Sequence, residues 1–355
     1  MLLDYTKKEL EELGKIYGIK GIYKLKKTEL IEILQTYIPA NMANVLVMLT
    51  PEELEEFEAL IAKDKYVKGK PDILQDYNLL DTALVELIET KKGLKLTVDL
   101  RIKEGYKKLD MITIKEQARA NDSIRTHIMG LLNLYGAVEI RWVCELYTSY
   151  HHAQLDEKQV IDFMEKDRTL SDRSKVVDNY IVEEMIYSID EKNFYEFIRL
   201  TKDKQYYIPA KNYIELVSDE LYYDNTLQVQ MLMSYLRKNF TSDETIIEEA
   251  VLAIIMIARV DCNEDGDTIN IMLEEWAAIG IEIQDFKQEN EAVKHILNVI
   301  NTTRKWINKG YTQAELSVGS FSKREDKIRV LDVGKNALCS CGSGKKHKDC
   351  CGKAR

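Results

Sequence analysis

Four cysteines near the carboxyl end of the chain have the residue type and spacing of a metal site. Cys339 and Cys341 form one pair, Cys350 and Cys351 form a second, and all four thiols fall within thirteen positions. Thiolates are strong ligands for Zn²⁺, and four of them complete the tetrahedron of a structural site with no position left for a reacting water. We therefore predict one structural zinc ion on these four residues and no metal-based catalysis.

A redox pair or a disulfide is the alternative interpretation of the same cluster. Six cysteines in 355 residues is sparse usage, far from that of a secreted disulfide scaffold. The adjacent residues Cys350 and Cys351 cannot easily bridge each other. The spacing therefore favours zinc. The two remaining thiols, Cys144 and Cys262, stand in apolar surroundings and are predicted to be buried.

The tail, residues 335–355, resembles the SEC-C motif, which stands at the C-terminus of the translocation motor SecA and in many other bacterial proteins. The resemblance rests on the run from Cys339 to Gly352 and on its lead-in, residues 333–336. Ser340 stands where the family usually has proline. In that family the motif carries zinc and is associated with binding export chaperones and ribosomes. The resemblance implies a docking module with no reaction of its own.

A second group of side chains able to bind a ligand stands near the amino end, in the head, residues 1–40. Helical punctuation is clear there. Thr6 and Glu9 form a capping box for a first helix, Gly18 and Gly21 end that helix, and Thr28 is predicted to cap a second. The junction between the two helices carries the only local basic patch at this end, formed by Lys20, Lys24, Lys26 and Lys27.

Residues 7–31 resemble the N-terminal domain of the transcription termination factor Rho, a small helical fold close to SAP domains. The matched framework consists of Leu10, Leu13, Gly18-Ile19, Leu25, Lys27 and Leu30-Ile31. In that family the module is associated with nucleic-acid contact near the helix junction, which implies RNA or DNA contact through Lys20, Lys24, Lys26 and Lys27. A helical hairpin that binds protein or only caps its neighbour is the alternative. No P-loop is present, so the helicase activity of Rho does not carry over.

Charge is distributed unevenly along the chain. The whole chain has a net charge of −10. Residues 1–40 carry +1 and residues 321–355 carry +6, so the segment between them has a net charge of −17. An acidic middle repels nucleic acid, so any such binding is expected to be local to an end of the chain.

The sequence predicts a cytoplasmic protein without membrane insertion. No basic segment followed by an apolar run stands at the amino end, and the longest apolar stretch, residues 250–258, is far shorter than a bilayer span. Signatures such as G-x-S-x-G, H-E-x-x-H or a glycine-rich nucleotide loop are missing. We predict that the protein is not an enzyme, with a dispersed active site as the alternative.

The middle of the chain predicts a mainly α-helical fold with a minor β component. Short strands are predicted at 83–88 and 94–100 around Lys91-Lys92-Gly93, and again at 180–185, 194–201 and 205–208. Helices followed by a hairpin suggest winged-helix-like units. The predicted segments are the SAP-like head at 1–40, winged-helix-like segments at 41–118 and 119–225, a helical bundle at 226–318, a linker at 319–334 and the zinc-binding SEC-C module at 335–355.

Together these features predict a zinc-binding adaptor or regulator that acts by binding. In the leading interpretation the head touches RNA or DNA and the tail docks protein or ribosome, which links the chain to transcription termination or to translation. The alternative is a protein-only scaffold or chaperone-like factor in protein export or quality control, in which both ends dock proteins.

Overall fold

The computed structural model describes residues 2–67, 78–151, 153–188, 191–261 and 268–319. These residues are mainly helical, with two small antiparallel sheets. They fall into two compact units: unit 1 holds residues up to 125 together with 165–168, and unit 2 holds residues 126–164 together with those from 169 onward. None of the helices in the described ranges is both long and apolar enough to cross a bilayer.

Unit 1 begins with the head. Thr6 caps the first helix through a hydrogen bond of 3.3 Å from the Glu9 amide to its Oγ1, as the sequence predicts. The second helix is capped differently from the prediction. Lys26 holds the N-cap position and Thr28 lies within the first turn, because the Glu29 carboxylate accepts a hydrogen bond of 2.7 Å from the Lys26 amide. The helices are α1 Lys7–Ile16, a 3-10 turn at Ile22–Lys24, and α2 Lys27–Asn41.

The rest of unit 1 surrounds a three-stranded sheet. Thr50 and Glu53 form a capping box for the helix Pro51–Ala62, and proline opens that helix. The hairpin around Lys91-Lys92-Gly93 is confirmed, with both strands shifted by a few residues from the prediction. The elements are α3 Ala43–Leu46, α4 Pro51–Ala62, β1 Lys65–Val67, α5 Asn78–Asp81, β2 Glu86–Thr90, β3 Gly93–Thr97, α6 Leu100–Tyr106 and the long α7 Met111–Tyr135, whose first part belongs to this unit.

Unit 2 contains the second sheet and the helices around it. The elements are the end of α7, β4 Ala137–Glu139, α8 Ile140–His151, α9 Glu157–Lys166, α10 Arg168–Arg173, β5 Ser174–Val177, β6 Tyr180–Glu183, α11 Glu184–Tyr187, α12 Glu191–Thr201 and α13 Lys211–Val217. The strands predicted at 194–201 and 205–208 are wrong, because the first segment lies in α12 and the second forms neither strand nor helix. Phe194 and Phe197 are buried on one face of that helix, three positions apart, which is helical spacing.

Both sheets have the same strand order. In unit 1, β1 pairs with β3 and β3 pairs with β2; in unit 2, β4 pairs with β6 and β6 pairs with β5, all antiparallel. In each sheet the first strand follows a helix, and the last two strands form a hairpin whose second strand lies in the centre. Among the described residues, α5 lies between the first strand and the hairpin in unit 1, and α8, α9 and α10 lie between them in unit 2.

The last part of unit 2 is a set of helices around one apolar core. They are α14 Leu227–Asn239, α15 Glu244–Val260, α16 Thr268–Ala278, α17 Phe286–Thr302, a 3-10 turn at Trp306–Asn308, and α18 Gln313–Gly319. Helix α14 packs on α15 and α17, and α15 packs on α16. Trp276 is fully buried in this core and its indole N–H donates to the Ala250 carbonyl. The described residues of the segment predicted as a helical bundle, 226–318, are thus mainly helical.

A buried histidine in unit 2 makes the stability of this unit depend on pH. His127 is 1% exposed, and one ring nitrogen lies 3.3 Å from the Val143 carbonyl oxygen. The rings of Tyr147, Tyr150 and His151 face it edge-on. Burial, with repulsion from His151 and Lys211, lowers the pKa of His127 to about 3.

We expect the His127→Gln variant to lose part of the acid sensitivity of the wild-type protein. The unfolded histidine titrates near its usual pKa of about 6.5. Between about pH 6.5 and about pH 4 the unfolded state therefore binds a proton that the folded state does not bind. The free energy of unfolding then falls by about 1.4 kcal/mol per pH unit. Glutamine binds no proton. Urea unfolding at a series of pH values gives the difference between the two proteins, and identical pH slopes would refute the role of His127.

Candidate nucleic-acid interface and zinc-binding tail

The candidate interface is the junction between α1 and α2. Helix α1 ends before Gly18, which has a φ of 70°, and Gly21, with a φ of 76°, reverses the chain into the 3-10 turn. Ile22 anchors this turn in the core at 4% exposure. It packs against Gly14, where any Cβ would overlap the Ile22 side chain. The packing of Ile22 against Gly14 therefore holds one side of the 3-10 turn in the core, and the opposite side of the turn lies at the surface.

The four predicted lysines of this junction are all exposed. Lys24 ends the 3-10 turn, Lys26 caps α2 and Lys27 opens it, so the turn places three of them at successive positions around the helix start. Lys27 Nζ donates a hydrogen bond of 3.2 Å to the Leu3 carbonyl, and its charge contributes to the lowered pKa of the Glu9 carboxyl. Within the described ranges, none of Lys20, Lys24, Lys26 and Lys27 forms an ion pair with a carboxylate.

The three acidic side chains of α1 are engaged with other groups. Glu11 pairs with Lys7 at 3.4 Å and Glu12 pairs with Lys8 at 3.8 Å, both along α1. Glu9 accepts the hydrogen bonds of the Thr6 backbone and side chain, which hold the pKa of its carboxyl below the usual value. The ion pairs described in the head therefore lie along α1, and the junction lysines form none, although the Glu29 carboxylate also lies at the start of α2.

Two residues that the sequence did not single out belong to the same surface. Lys7, on α1, donates from Nζ to the Tyr23 carbonyl at 3.4 Å, although the two residues are sixteen positions apart. Tyr23 is 64% exposed, and Lys24 Nζ lies 5.6 Å from the centroid of its ring. The spacing of apolar residues can indicate that Tyr23 lies outside the core. The contact between Lys7 and Tyr23, however, forms only when the hairpin of α1 and α2 is folded.

The tyrosines clustered in the middle of the chain have a different environment. The Tyr207 ring lies 3.6 Å from the Arg304 guanidinium carbon, and Tyr213 Oη donates to Asp224 Oδ2 at 2.7 Å. Tyr206 stacks on Trp142, with 5.4 Å between the ring centroids. These rings are therefore occupied by neighbours within unit 2, whereas no aromatic ring of the described residues lies against Tyr23.

The four predicted zinc ligands, Cys339, Cys341, Cys350 and Cys351, lie outside the described residues, as do Cys262 and the predicted linker beyond Gly319. The described part of the chain contains no cluster of three or more His, Cys, Asp or Glu side chains placed to hold a metal. Its one free thiol, Cys144, is buried as predicted, and burial raises the pKa of that thiol to about 11. Cys144 is therefore a core residue, since a metal ligand needs an accessible thiolate.

Comparison with known protein families assigns the tail. The SEC-C motif family model matches residues 336–353, a segment that includes all four predicted zinc ligands. The resemblance inferred from the sequence is thus confirmed for the tail. The resemblance of the head to the Rho N-terminal domain stays a prediction. No solved structure matches the chain.

Proposed function

We propose that this protein is a zinc-binding adaptor or regulator without enzymatic activity. In this proposal the head contacts RNA or DNA, and the SEC-C tail docks a protein such as a chaperone, or the ribosome. Such an arrangement links the chain to transcription termination or to translation in the cytoplasm. The observation that carries the nucleic-acid part is the group of four unpaired, exposed lysines around one helix junction.

The unpaired state of these lysines matters because a free lysine can neutralise a phosphate and so release a counterion condensed on the nucleic acid. A lysine already paired with a carboxylate gains little from a phosphate, since it must exchange one anion for another. Lys7 and Lys8 have such partners, whereas Lys24, Lys26 and Lys27 do not. A contact of about three phosphates gives a modest affinity with a clear salt dependence.

The zinc part of the proposal rests on the donor set of the matched tail. Four thiolates suit Zn²⁺ and fill a tetrahedral site, so one ion on Cys339, Cys341, Cys350 and Cys351 would hold the module together and leave its surface for docking. The ion in this proposal is structural.

We further propose that each sheet with its helices forms a winged-helix-like unit. The support is the order of elements: a helix, a first strand, helical chain, and a hairpin whose second strand pairs with the first strand. In unit 2 the candidate recognition helix is α9, which carries three acids and two lysines. Its nearly balanced charge gives no cationic surplus for phosphate, so this unit fits protein contact at least as well as groove reading.

We expect the triple variant Lys24→Ala/Lys26→Ala/Lys27→Ala to lose most nucleic-acid binding. Fluorescence anisotropy with a mixed-sequence RNA oligonucleotide measures the affinity at several salt concentrations. At about 50 mM salt the affinity should fall by at least about tenfold, and the slope of log K against log salt should shrink by about 2, because three phosphate contacts are lost. Triple replacement of Lys63, Lys91 and Lys92 by alanine is the control, since it removes the same charge from exposed positions outside the head.

Equal losses in both triple variants would show that net charge alone governs binding and would contradict a site at the junction. No binding by the intact protein at low salt would refute the nucleic-acid part of the proposal and leave the protein-docking part.

A protein-only scaffold is the second candidate, and the acidic α9 together with the acidic middle favours it. Crosslinking recovery from lysate distinguishes the two, with intact protein compared with versions lacking residues 1–40 or 335–355, each with and without nuclease. Recovery that needs the head and is lost with nuclease supports the adaptor. Nuclease-resistant recovery of one ribosomal or chaperone component that needs only the tail supports the scaffold.

A further inference from the structure

Tyr23 is the most exposed tyrosine of the described residues and its ring has no aromatic neighbour among them. It is 64% exposed, against 53% for Tyr66 and 56% for Tyr195, and the ring of Tyr195 contacts Phe194. A single exposed ring is common on a protein surface. The groups around Tyr23 therefore decide whether its ring can bind a ligand.

The fold holds Tyr23 outward through its neighbours in the chain. Ile22 is buried against Gly14, and the left-handed conformation of Gly21 starts the 3-10 turn that follows. In this turn the residue after Ile22 lies on the opposite side from the core, because successive residues of a 3-10 helix are about 120° apart. The Tyr23 carbonyl is tied to Lys7, which restrains the backbone beneath the ring.

The charges around this ring are positive. Lys24 Nζ lies 5.6 Å from the ring centroid, Lys7 Nζ contacts the Tyr23 carbonyl, and Lys26 and Lys27 follow within four positions. A ring face flanked by cations fits a ligand that carries both a flat aromatic group and a phosphate. Single-stranded nucleic acid has this chemistry at every nucleotide, whereas a duplex keeps its base faces stacked inside the helix.

We propose that Tyr23 is a stacking platform for one base of a single-stranded nucleic acid, with Lys24, Lys26 and Lys27 around the adjacent phosphates. This inference rests on the proposed nucleic-acid function of the head and adds to it the strandedness of the ligand and a residue that reads it. Because every base has a flat face, this contact tolerates any sequence. The lysines supply the salt-dependent part of the affinity and Tyr23 supplies a part that salt does not screen.

The test uses the full chain with a thymidine 12-mer and a matched 12-base-pair duplex. Tyr23→Ala should weaken binding of the single strand about 5- to 100-fold and leave its salt slope unchanged, because stacking releases no counterions. Tyr23→Phe should bind within about twofold of the wild type, since it keeps the ring. Tyr195→Ala, at a comparably exposed position, should bind as the wild type does, and duplex binding should not change with Tyr23→Ala.

The outcomes separate this inference from the function on which it rests. If Tyr23→Ala binds the single strand as tightly as the wild type while the Lys24/Lys26/Lys27 triple variant does not, the stacking role is wrong and the nucleic-acid function stands. If Tyr23→Ala weakens the duplex as much as the single strand, the ring is not a base platform. If the intact chain binds neither oligonucleotide at low salt, both proposals fail.

Discussion

Replacing Cys341 or Cys350 with serine is expected to remove the bound zinc from the purified protein while the described body of the chain stays folded. Each substitution removes one of four thiolates, and a serine hydroxyl is a poor ligand for Zn²⁺. Because structural zinc sites gain their affinity from the complete ligand set, the loss should be from about one ion per chain to nearly none. Metal analysis after dialysis against a weak chelator measures it.

The matched control is Cys144→Ser, which also replaces a thiol by a hydroxyl. Cys144 is buried in unit 2, and burial raises the pKa of its thiol, so this variant should keep the full zinc content. Circular dichroism should show the same helix content in all three variants, because units 1 and 2 have apolar cores of their own. Zinc retained at one ion per chain in Cys341→Ser and in Cys350→Ser would contradict the four-thiolate site.

Loss of the carboxylate in Asp167→Ala should be among the most destabilising single changes in unit 1. The Asp167 side chain is 1% exposed, and its Oδ2 accepts a hydrogen bond of 2.7 Å from Nε of Arg125, whose side chain is 6% exposed. Arg125 also pairs with Asp122 at 2.7 Å and donates to the Met48 carbonyl. Removal of one partner leaves a buried cation under-compensated, which costs about 3–5 kcal/mol. Urea unfolding measures the change.

Two further variants define what the Asp167 result means. The double variant Arg125→Met/Asp167→Leu should recover much of the lost stability, because an apolar pair of similar volume needs no compensation. Glu145→Gln breaks an exposed pair with Arg141 and should cost no more than about 0.5 kcal/mol. A cost for Asp167→Ala as small as that for Glu145→Gln would show that the buried pair does not stabilise unit 1.

The helices with strong local signals were predictable from the sequence. The capping boxes at Thr6 and Thr50 satisfy orphan backbone donors with side chains three positions away, so the information is local. The hairpin around Gly93 is similar, because its turn residues set its position. The segment 194–201 was misread because its aromatic and branched residues favour strands locally, while the three-residue spacing of Phe194 and Phe197 is what the fold uses.

The candidate interface was only partly predictable. The four lysines are close in sequence, so their clustering needed no structure. The packing of α1 against the 3-10 turn could not be predicted in this way. It determines that the lysines form no ion pairs, that Lys7 contacts the Tyr23 carbonyl and that the Tyr23 ring is exposed. The short strands β1 and β4, three residues each, were missed because their pairing comes from strands far along the chain.

Ultraviolet crosslinking of the intact protein to a bound uridine or thymidine oligonucleotide, with mass-spectrometric mapping of the modified residues, shows whether the head binds nucleic acid. We expect crosslinks in the head, concentrated in residues 20–27 and including Tyr23, which are lost in the Lys24/Lys26/Lys27 triple variant. Crosslinks confined to unit 2 or to the tail, with none in the head, would contradict nucleic-acid binding by the head.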